Sequence, residues 1–405
     1  MPTLKVKFLG KEFINPYILS ASPCTDELEY IEEAFELGWA GAVTKTTSFE
    51  GNPVPLKYPM ISGYDFNYHR LNAMGNIDLI SKYHIDVVEK RIKYLKKKWG
   101  SKRVVIGSLM GADKKSWQSV VKRLIDAGAD MIECSFSCPQ GSMGAEPGKM
   151  LAQSPEATEK VTGWVKEAAG KVPVLIKITP HVTDIVEIAR RVKNGGGDGI
   201  TASNTIQSLM GVDIENFVPI PNVAGKSTYS GMSGPAIKPI TLKVIADIKI
   251  NTGIPIAGTG GCSDWRDAVE FMAVGAGIVQ LCTAPMHYGF RIIDDLTSGL
   301  SYYLERMNFN SPMDIIDRAL ANITTHDELP LIEPKSHISE ELCIRCDLCY
   351  IACYDGGHRA IELRPNDRFP HVDEEKCVGC GLCKTVCPVV DCIEIKVPEK
   401  AKRRK

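Results

Sequence analysis

The sequence lacks several features that would define its class at once. No apolar run approaches the about 20 residues that a membrane-spanning helix needs. No secretory signal is predicted, because residues 1–5 lead directly into an alternating strand pattern. Lys and Arg number 48 and Asp and Glu 49, so there is no overall charge that favours nucleic acid. These absences predict a cytoplasmic protein with no membrane and no nucleic-acid partner.

Cysteine, by contrast, is plentiful, and eight of the 14 cysteines form two CxxCxxCxxxC runs that are 23 residues apart. A doubled run is typical of bacterial ferredoxins with two 4Fe-4S clusters, in which the fourth cysteine of each run binds the other cluster. One predicted cluster is bound by Cys343, Cys346, Cys349 and Cys387, and the second by Cys377, Cys380, Cys383 and Cys353. Two zinc sites are the alternative, although zinc usually takes separated CxxC pairs.

Eight short runs rich in Val, Ile and Ala alternate with amphipathic helical patterns over the first 300 or so residues. The runs are 17–21, 42–44, 104–110, 131–135, 174–178, 199–202, 254–259 and 278–281. This alternation predicts a (β/α)8 TIM barrel. A doubly wound sheet is the alternative, but no GxGxxG turn follows the first run.

The predicted organisation is an α/β barrel followed by a small α+β two-cluster ferredoxin-type domain. The boundaries are 1–310 for the barrel, 311–336 for a linker with one short helix, 337–397 for the ferredoxin domain and 398–405 for a basic tail. Insertions at 47–102 and 207–235 follow the second and sixth runs. Because loops after barrel strands carry the active site, both insertions are expected to roof it.

Two lysines interrupt apolar strands where those strands end. Lys45 follows the second run and Lys177 lies in the fifth. A buried ammonium group is costly unless an anion pairs with it, so the two lysines suggest a bound anionic partner such as a reduced flavin ring. A GTGG turn at 258–261 ends the seventh run, where these barrels bind phosphate.

Cys138 follows the fourth run, at the predicted mouth of the barrel. An exposed thiol beside a flavin can act as a general acid. The alternative is an incidental cysteine, like Cys24, Cys134, Cys262 and Cys392, which we interpret as small packing residues.

The sequence resembles the dihydropyrimidine dehydrogenases, specifically their FMN barrel and C-terminal ferredoxin part, and more distantly the dihydroorotate dehydrogenases. The resemblance spans essentially the whole chain. Its stretches are 34–39, 44–46, 76–80, 137–139, 177–186, 201–205, 231–234, 259–261 and 387–392.

The resemblance implies an enzyme that binds FMN and two 4Fe-4S clusters and reduces the C5=C6 bond of uracil or thymine. Cys138 is implied as the proton donor to C5. The implied substrate contacts are Asn76, Ser135, Asn204 and Thr205. The implied FMN contacts are Ser20, Ala21, Lys45, Thr46, Lys177, Gly234, Thr259, Gly260, Gly261, Cys282 and Thr283.

The resemblance also implies a partner, because no second dinucleotide fold is present to accept electrons from NAD(P)H. The expected partner is an FAD- and iron–sulfur-containing subunit that oxidises NAD(P)H, with a homodimer of this chain at the core of a heterotetramer. One departure concerns the substrate: the family has Asn where this chain has Ser135. Another cyclic amide or imide, a dihydroorotate-like substrate, or a non-catalytic electron-relay role are therefore the alternatives.

Overall fold

Eight parallel strands close into a barrel in the computed structural model, which describes residues 2–48, 56–63, 72–137 and 150–397. Up to residue 281, the described strands, inside and outside the barrel, are β1 (Val6–Phe8), β2 (Lys11–Phe13), β3 (Tyr17–Leu19), β4 (Gly41–Val43), β5 (Ile61–Gly63), β6 (Met74–Asn76), β7 (Val104–Leu109), β8 (Met131–Ser135), β9 (Val174–Lys177), β10 (Gly199–Ala202), β11 (Ile206–Ser208), β12 (Val212–Asp213), β13 (Val218–Pro219), β14 (Ser230–Ser233), β15 (Ile256–Thr259) and β16 (Ala276–Leu281). The order around the barrel is β3-β4-β7-β8-β9-β10-β15-β16. These are the eight predicted apolar runs, so the barrel is confirmed and the doubly wound sheet is wrong.

Helices follow the barrel strands and cover them. They are α1 (Leu28–Leu37), α2 (Ile85–Trp99), α3 (Lys114–Asp126), α4 (Pro155–Ala169), α5 (Ile185–Asn194), α6 (Lys238–Thr252), α7 (Trp265–Ala273), α8 (Thr283–Tyr288) and α9 (Ile292–Arg306). In α3 the buried face contains Trp117, Val121 and Leu124, as the 3.6-residue period predicts. No helix among the described residues is long and apolar enough to cross a membrane.

Helix ends follow the sequence only in part. Ser154 before Pro155 is a typical helix start in the sequence, and its hydroxyl accepts a hydrogen bond from the Ala157 N–H and caps α4. Asp26 with Glu29 predicts a capping box, and this prediction is wrong: Glu27 precedes α1, and the Asp26 carboxylate accepts from the Ser81 hydroxyl instead. The sequence also predicts Ser263 as the cap of α7, but Asp264 occupies that position.

Both insertions contribute strands to one small antiparallel sheet. Its order is β11-β14-β6-β5, so strands from the second insertion pair directly with a strand from the first. In the register of this pairing, Asn76 lies opposite Gly231 and Met74 lies opposite Ser233. This sheet brings segments that are more than 150 residues apart in sequence to one side of the cavity described below.

The chain divides into two units, one ending at Asn322 and the other beginning at Ile323. Between 310 and 336 the structure has three 3-10 turns, Pro312–Asp314, Leu320–Asn322 and His326–Glu328, where one short helix was predicted. Ile315 is buried in the core of the first unit. The domain boundaries given above stay a prediction, and the basic tail lies outside the described residues.

The second unit is small and built around its cysteines. Its elements are β17 (Lys335–Ile338), α10 (Leu348–Gly356), β18 (Ile361–Arg364), β19 (Asp367–Val372), α11 (Leu382–Val386) and β20 (Ile393–Lys396). The strands form two antiparallel pairs, β17 with β20 and β18 with β19. The two helices each carry cysteines of one run, which positions both runs against the same core.

Candidate active site and cysteine cavities

A cavity of about 310 Å³ lies where the carboxyl ends of the barrel strands meet the small sheet. Ligand sites of (β/α)8 barrels lie at this end. Fourteen of the residues predicted from the sequence line it: Ser20, Ala21, Lys45, Thr46, Asn76, Ser135, Lys177, Asn204, Thr205, Thr259, Gly260, Gly261, Cys282 and Thr283. Two of the predicted site residues are not in this list. Gly234 does not line the cavity, and a Cβ atom there would be 3.3 Å from Ala73 Cα. Cys138 lies outside the described residues.

The two lysines are buried, as predicted, but each has an anionic neighbour within the chain. The Lys45 ammonium forms an ion pair with Asp78, and both side chains are less than a tenth exposed. Lys177 Nζ is 3.2 Å from Ser20 Oγ and 4.0 Å from Glu133 Oε1. Neither carboxylate was predicted from the sequence, although Glu133 interrupts an apolar strand just as the lysines do.

The turn after β15 approaches the beginning of α6 closely. A Cβ atom on Gly261 would be 2.5 Å from Lys238 N, and one on Gly260 would be 2.8 Å from Thr241 Oγ1. Both glycines also have positive φ angles, 115° at Gly260 and 94° at Gly261, in the region that side chains disfavour. Only glycine therefore fits this turn, which presents bare backbone to the cavity and suits a phosphate group.

Two amide side chains of the cavity wall, Asn76 at the end of β6 and Asn204 after β10, are oriented by hydrogen bonds within the chain. Asn76 Nδ2 donates to the Gly231 carbonyl over 2.9 Å. Asn204 Nδ2 donates to Ser137 Oγ over 2.6 Å, and Asn204 Oδ1 accepts from the Thr205 N–H over 2.9 Å. An amide has two donors and a carbonyl acceptor, so each side chain keeps capacity for a ligand after these bonds.

A thiol also lines the cavity. Burial raises the pKa of Cys282 above its usual value, with the neighbouring charges of Lys177 and Lys45 acting in the opposite direction. Cys24, which is not among the lining residues, has a pKa raised to about 12, again chiefly by burial. Both thiols are therefore neutral at pH 7 and act as small polarisable surfaces.

In the second unit, the eight cysteines of the two runs line two separate cavities. One cavity is lined by Cys343, Cys346, Cys349 and Cys387, and the other by Cys353, Cys377, Cys380 and Cys383. Each therefore gathers three cysteines from one run and the last cysteine of the other, the crossed arrangement that the spacing predicts. Cys392 also lines the first cavity.

No group of three or more His, Cys, Asp or Glu side chains in the described part of the chain is arranged to hold a single metal ion. A 4Fe-4S cluster makes a different demand, because its four thiolates surround a group larger than one ion. The cysteine cavities provide four thiols each in an apolar wall that includes Ile338 and Ile361. The donor set suits such clusters.

Comparisons with known proteins agree with this architecture. The dihydroorotate dehydrogenase family model matches residues 3–304, and the 4Fe-4S dicluster domain model matches residues 336–395. The second match assigns this unit to iron–sulfur rather than zinc chemistry. The chain is 39% identical over 399 residues to the NAD-dependent dihydropyrimidine dehydrogenase subunit PreA of Escherichia coli, with 97% of this chain and 95% of the relative covered.

Two further relatives are more distant. The chloroplastic dihydropyrimidine dehydrogenase (NADP(+)) of Arabidopsis thaliana is 31% identical, covering 81% of this chain and 79% of the relative. The catalytic subunit of dihydroorotate dehydrogenase B (NAD(+)) of Pyrococcus horikoshii is 32% identical, covering 78% and 98%. The chain therefore belongs to the dihydroorotate dehydrogenase family, and within it to the dihydropyrimidine dehydrogenases, oxidoreductases that act on CH–CH groups, with a C-terminal 4Fe-4S ferredoxin domain.

Proposed function

We propose that this chain binds one FMN and two 4Fe-4S clusters and reduces the C5=C6 bond of uracil or thymine with electrons from NAD(P)H. The observation that carries the proposal is the convergence of two oriented amides, two buried lysines and a glycine turn on one cavity. The glycine turn suits a flavin phosphate, and the lysines suit a flavin ring that becomes negative on reduction. The amides suit a small ring that alternates hydrogen-bond donors and acceptors.

The chain's residues fit FMN in distinct roles. The Gly260–Gly261 turn, with Thr283 beside it, would hold the phosphate through backbone and hydroxyl donors. Lys45 and Lys177 would balance the negative charge that a reduced flavin carries at N1 and the C2 carbonyl. Bound FMN would supply a hydride to C6 of the pyrimidine.

The pyrimidine itself would be held by amides and a hydroxyl. Asn76 and Asn204 each offer an N–H donor and a carbonyl acceptor, and Thr205 offers a hydroxyl. Cys138 would deliver the proton to C5, a role that rests on the family resemblance. A positioned thiol, unlike bulk water, would add the proton to C5 from one fixed direction while the hydride is added to C6.

Electrons would reach the flavin through the clusters. Two cavities with four cysteines each support two clusters, one bound by the Cys343 set and one by the Cys377 set. The relative from Escherichia coli is described as a subunit of an NAD-dependent enzyme. We therefore propose a separate FAD- and iron–sulfur-containing partner that oxidises NAD(P)H, with a homodimer of this chain in a heterotetramer.

Substrate identity is tested by the oxidative half-reaction. The holoprotein is photoreduced anaerobically, and flavin reoxidation is followed at its visible absorption band after adding uracil, thymine, orotate or other cyclic amides and imides. Rapid reoxidation by uracil or thymine and slow reoxidation by orotate is the expected result. Reoxidation by none of these compounds, with FMN present, would favour the electron-relay alternative.

Ser135 favours a second candidate, in which the same machinery takes a different cyclic amide or imide. Ser135 lines the cavity beside Lys177, to which its strand pairs, and its hydroxyl is shorter than the family's asparagine. The Ser135→Asn variant is expected to shift preference toward uracil in the same panel. An equal change for every compound would show that residue 135 serves the flavin rather than substrate choice.

A further inference from the structure

Glu133 is a fully buried carboxylate inside the barrel that the proposed mechanism does not use. It lies in the middle of β8 and has no solvent-exposed surface. Burying a carboxylate is costly unless both oxygen atoms find donors or a cation. An acidic residue at such a position therefore needs a reason in its surroundings.

Its two oxygen atoms have different surroundings. Glu133 Oε2 accepts from Gln280 Nε2 over 2.7 Å and from Thr201 Oγ1 over 2.8 Å. Glu133 Oε1 is buried and has no hydrogen-bond partner among the described residues. The cation that faces it is the Lys177 ammonium, 4.0 Å away. One oxygen is thus fixed by two neutral donors, and the other is aimed at the lysine.

Among the described residues of this group, Lys177 is the cation that reaches both the carboxylate and the cavity. Gln280 also bonds to the carboxylate and lines the cavity, but it is neutral. Its ammonium is 3.2 Å from Ser20 Oγ, and both residues line the cavity. Lys45 differs, because its ion pair with Asp78 is in direct contact. The looser contact leaves the Lys177 ammonium available to a ligand while the carboxylate still attracts it.

We propose that Glu133 is a positioning residue for Lys177. Held by Gln280 and Thr201, its carboxylate keeps the Lys177 ammonium at the cavity floor and offsets part of its charge. The field that Lys177 exerts on a bound ring is therefore weaker than that of an uncompensated lysine. This inference rests on the proposed flavin site, because the ring on which Lys177 acts is the flavin.

The test uses sulfite, which adds to N5 of oxidised flavin and leaves negative charge at the N1 and C2-carbonyl edge. Affinity is measured by bleaching of flavin absorbance, without substrate or partner. Glu133→Gln keeps the size of the side chain and one oxygen that can accept from Gln280 and Thr201, and it removes the charge. We expect it to tighten sulfite binding by at least about tenfold, the scale of one unit charge acting over several ångströms in a partly buried site.

The matched control is the same substitution in the Lys177→Met background. If Glu133 acts through the lysine, the effect falls to less than about twofold there, as expected for two coupled residues. An equal effect in both backgrounds, or none in either, would overturn the proposal. The conservative variant Thr201→Val removes one donor to the carboxylate and should give a smaller change in sulfite affinity, again only when Lys177 is present. If Glu133→Gln does not fold, Thr201→Val tests the proposal instead: its effect must be lost in the Lys177→Met background.

The same experiment separates this inference from the proposed function. Protein that purifies without FMN and takes up none would contradict the flavin site itself. Protein that binds FMN and sulfite but is insensitive to Glu133→Gln would contradict only the positioning role. Neither outcome depends on which pyrimidine is the substrate.

Discussion

The two units of the molecule bury different kinds of side chain. The barrel core consists of Val, Ile, Leu, Ala, Met and aromatic residues, with two cysteines, Cys134 and Cys262, among its buried members. Among the described residues of the second unit, five of the nine buried core residues are cysteines: Cys349, Cys353, Cys377, Cys383 and Cys392. The barrel thus has an almost wholly apolar core, whereas four of the nine core residues of the ferredoxin domain are thiols that would bind its clusters.

The two units therefore derive their stability from different sources. A small domain buries a smaller fraction of its surface on folding than a large one, and such domains often depend on a metal or disulfides for folding. When thiolates bind a metal only in the folded state, the free energy of metal binding becomes free energy of folding. The proposed flavin of the barrel, in contrast, would fill a cavity whose walls already have their own hydrogen bonds.

Iron removal should therefore have the largest effect, and it should unfold the second unit while the barrel stays folded. We expect about eight iron per chain in anaerobically purified protein. Chelation should abolish hydrogen-exchange protection within 336–395 and leave the barrel strands β7 and β9 protected. Protected amides in the ferredoxin domain after complete loss of iron would contradict a cluster-dependent core.

Cys138→Ala should have the next largest effect, and without unfolding either unit. Loss of a positioned acid typically lowers the rate by about 10²–10⁴-fold, so turnover should fall by that amount while FMN content and flavin photoreduction are unchanged. Cys24→Ala is the matched control in the same unit, and we expect nearly normal turnover from it. Similar turnover in both variants would return Cys138 to an incidental role.

The smallest expected effect concerns the reduction potentials of the two clusters, because the two cysteine cavities differ in their hydrogen bonds to sulfur. In the Cys377 cavity, the Ser336 N–H donates to Cys377 Sγ over 3.5 Å and the Ser336 hydroxyl is 3.2 Å from Cys383 Sγ. The Ala360 N–H also donates to Cys353 Sγ, over 3.3 Å. In the other cavity, the Arg345 N–H donates to Cys343 Sγ over 3.4 Å. Hydrogen bonds to cluster sulfur stabilise the more negative reduced state and raise the reduction potential.

Ser336→Ala should therefore lower the potential of one cluster and leave the other unchanged. The backbone N–H of residue 336 remains in this variant, so the shift should be modest. Potentiometric titration followed by electron paramagnetic resonance measures both clusters in one sample. Ser339→Ala is the control, because the Ser339 hydroxyl accepts from the Leu342 N–H and does not bond to a thiol. Equal shifts of both clusters would show that the effect is not local.

Regular features of the fold could be predicted because they are local. Each barrel strand is an apolar run. A glycine just before such a run is typical of a helix end, and the four glycines at such positions, Gly38, Gly128, Gly196 and Gly275, all have positive φ angles. The start of α1 could not be predicted, because the Asp26 carboxylate accepts a hydrogen bond from the Ser81 hydroxyl, 55 positions away in the sequence, and does not cap the helix. The small sheet was missed for the same reason: its strands are three or four residues long, and their pairing is set by tertiary contacts.

The candidate site was predictable to the level of single residues but not of pairs. A lysine in an apolar strand indicates a buried charge, and both lysines line the cavity. The same reasoning applied to Glu133 and Gln280 would have indicated polar groups inside the barrel, since both lie in apolar strands. Which cation meets which carboxylate depends on the register between strands, and no sequence pattern fixes that distance.

The pairing of β14 with β6 has a consequence for loop exchange between relatives. Backbone hydrogen bonds join the insertion after the second barrel strand to the one after the sixth, and the Asn76 side chain also bonds to the Gly231 carbonyl. A graft that replaces one insertion alone would leave a strand edge unpaired and Asn76 without its support. The two segments therefore form one module, and transplanting substrate preference from another member of the family requires moving both together.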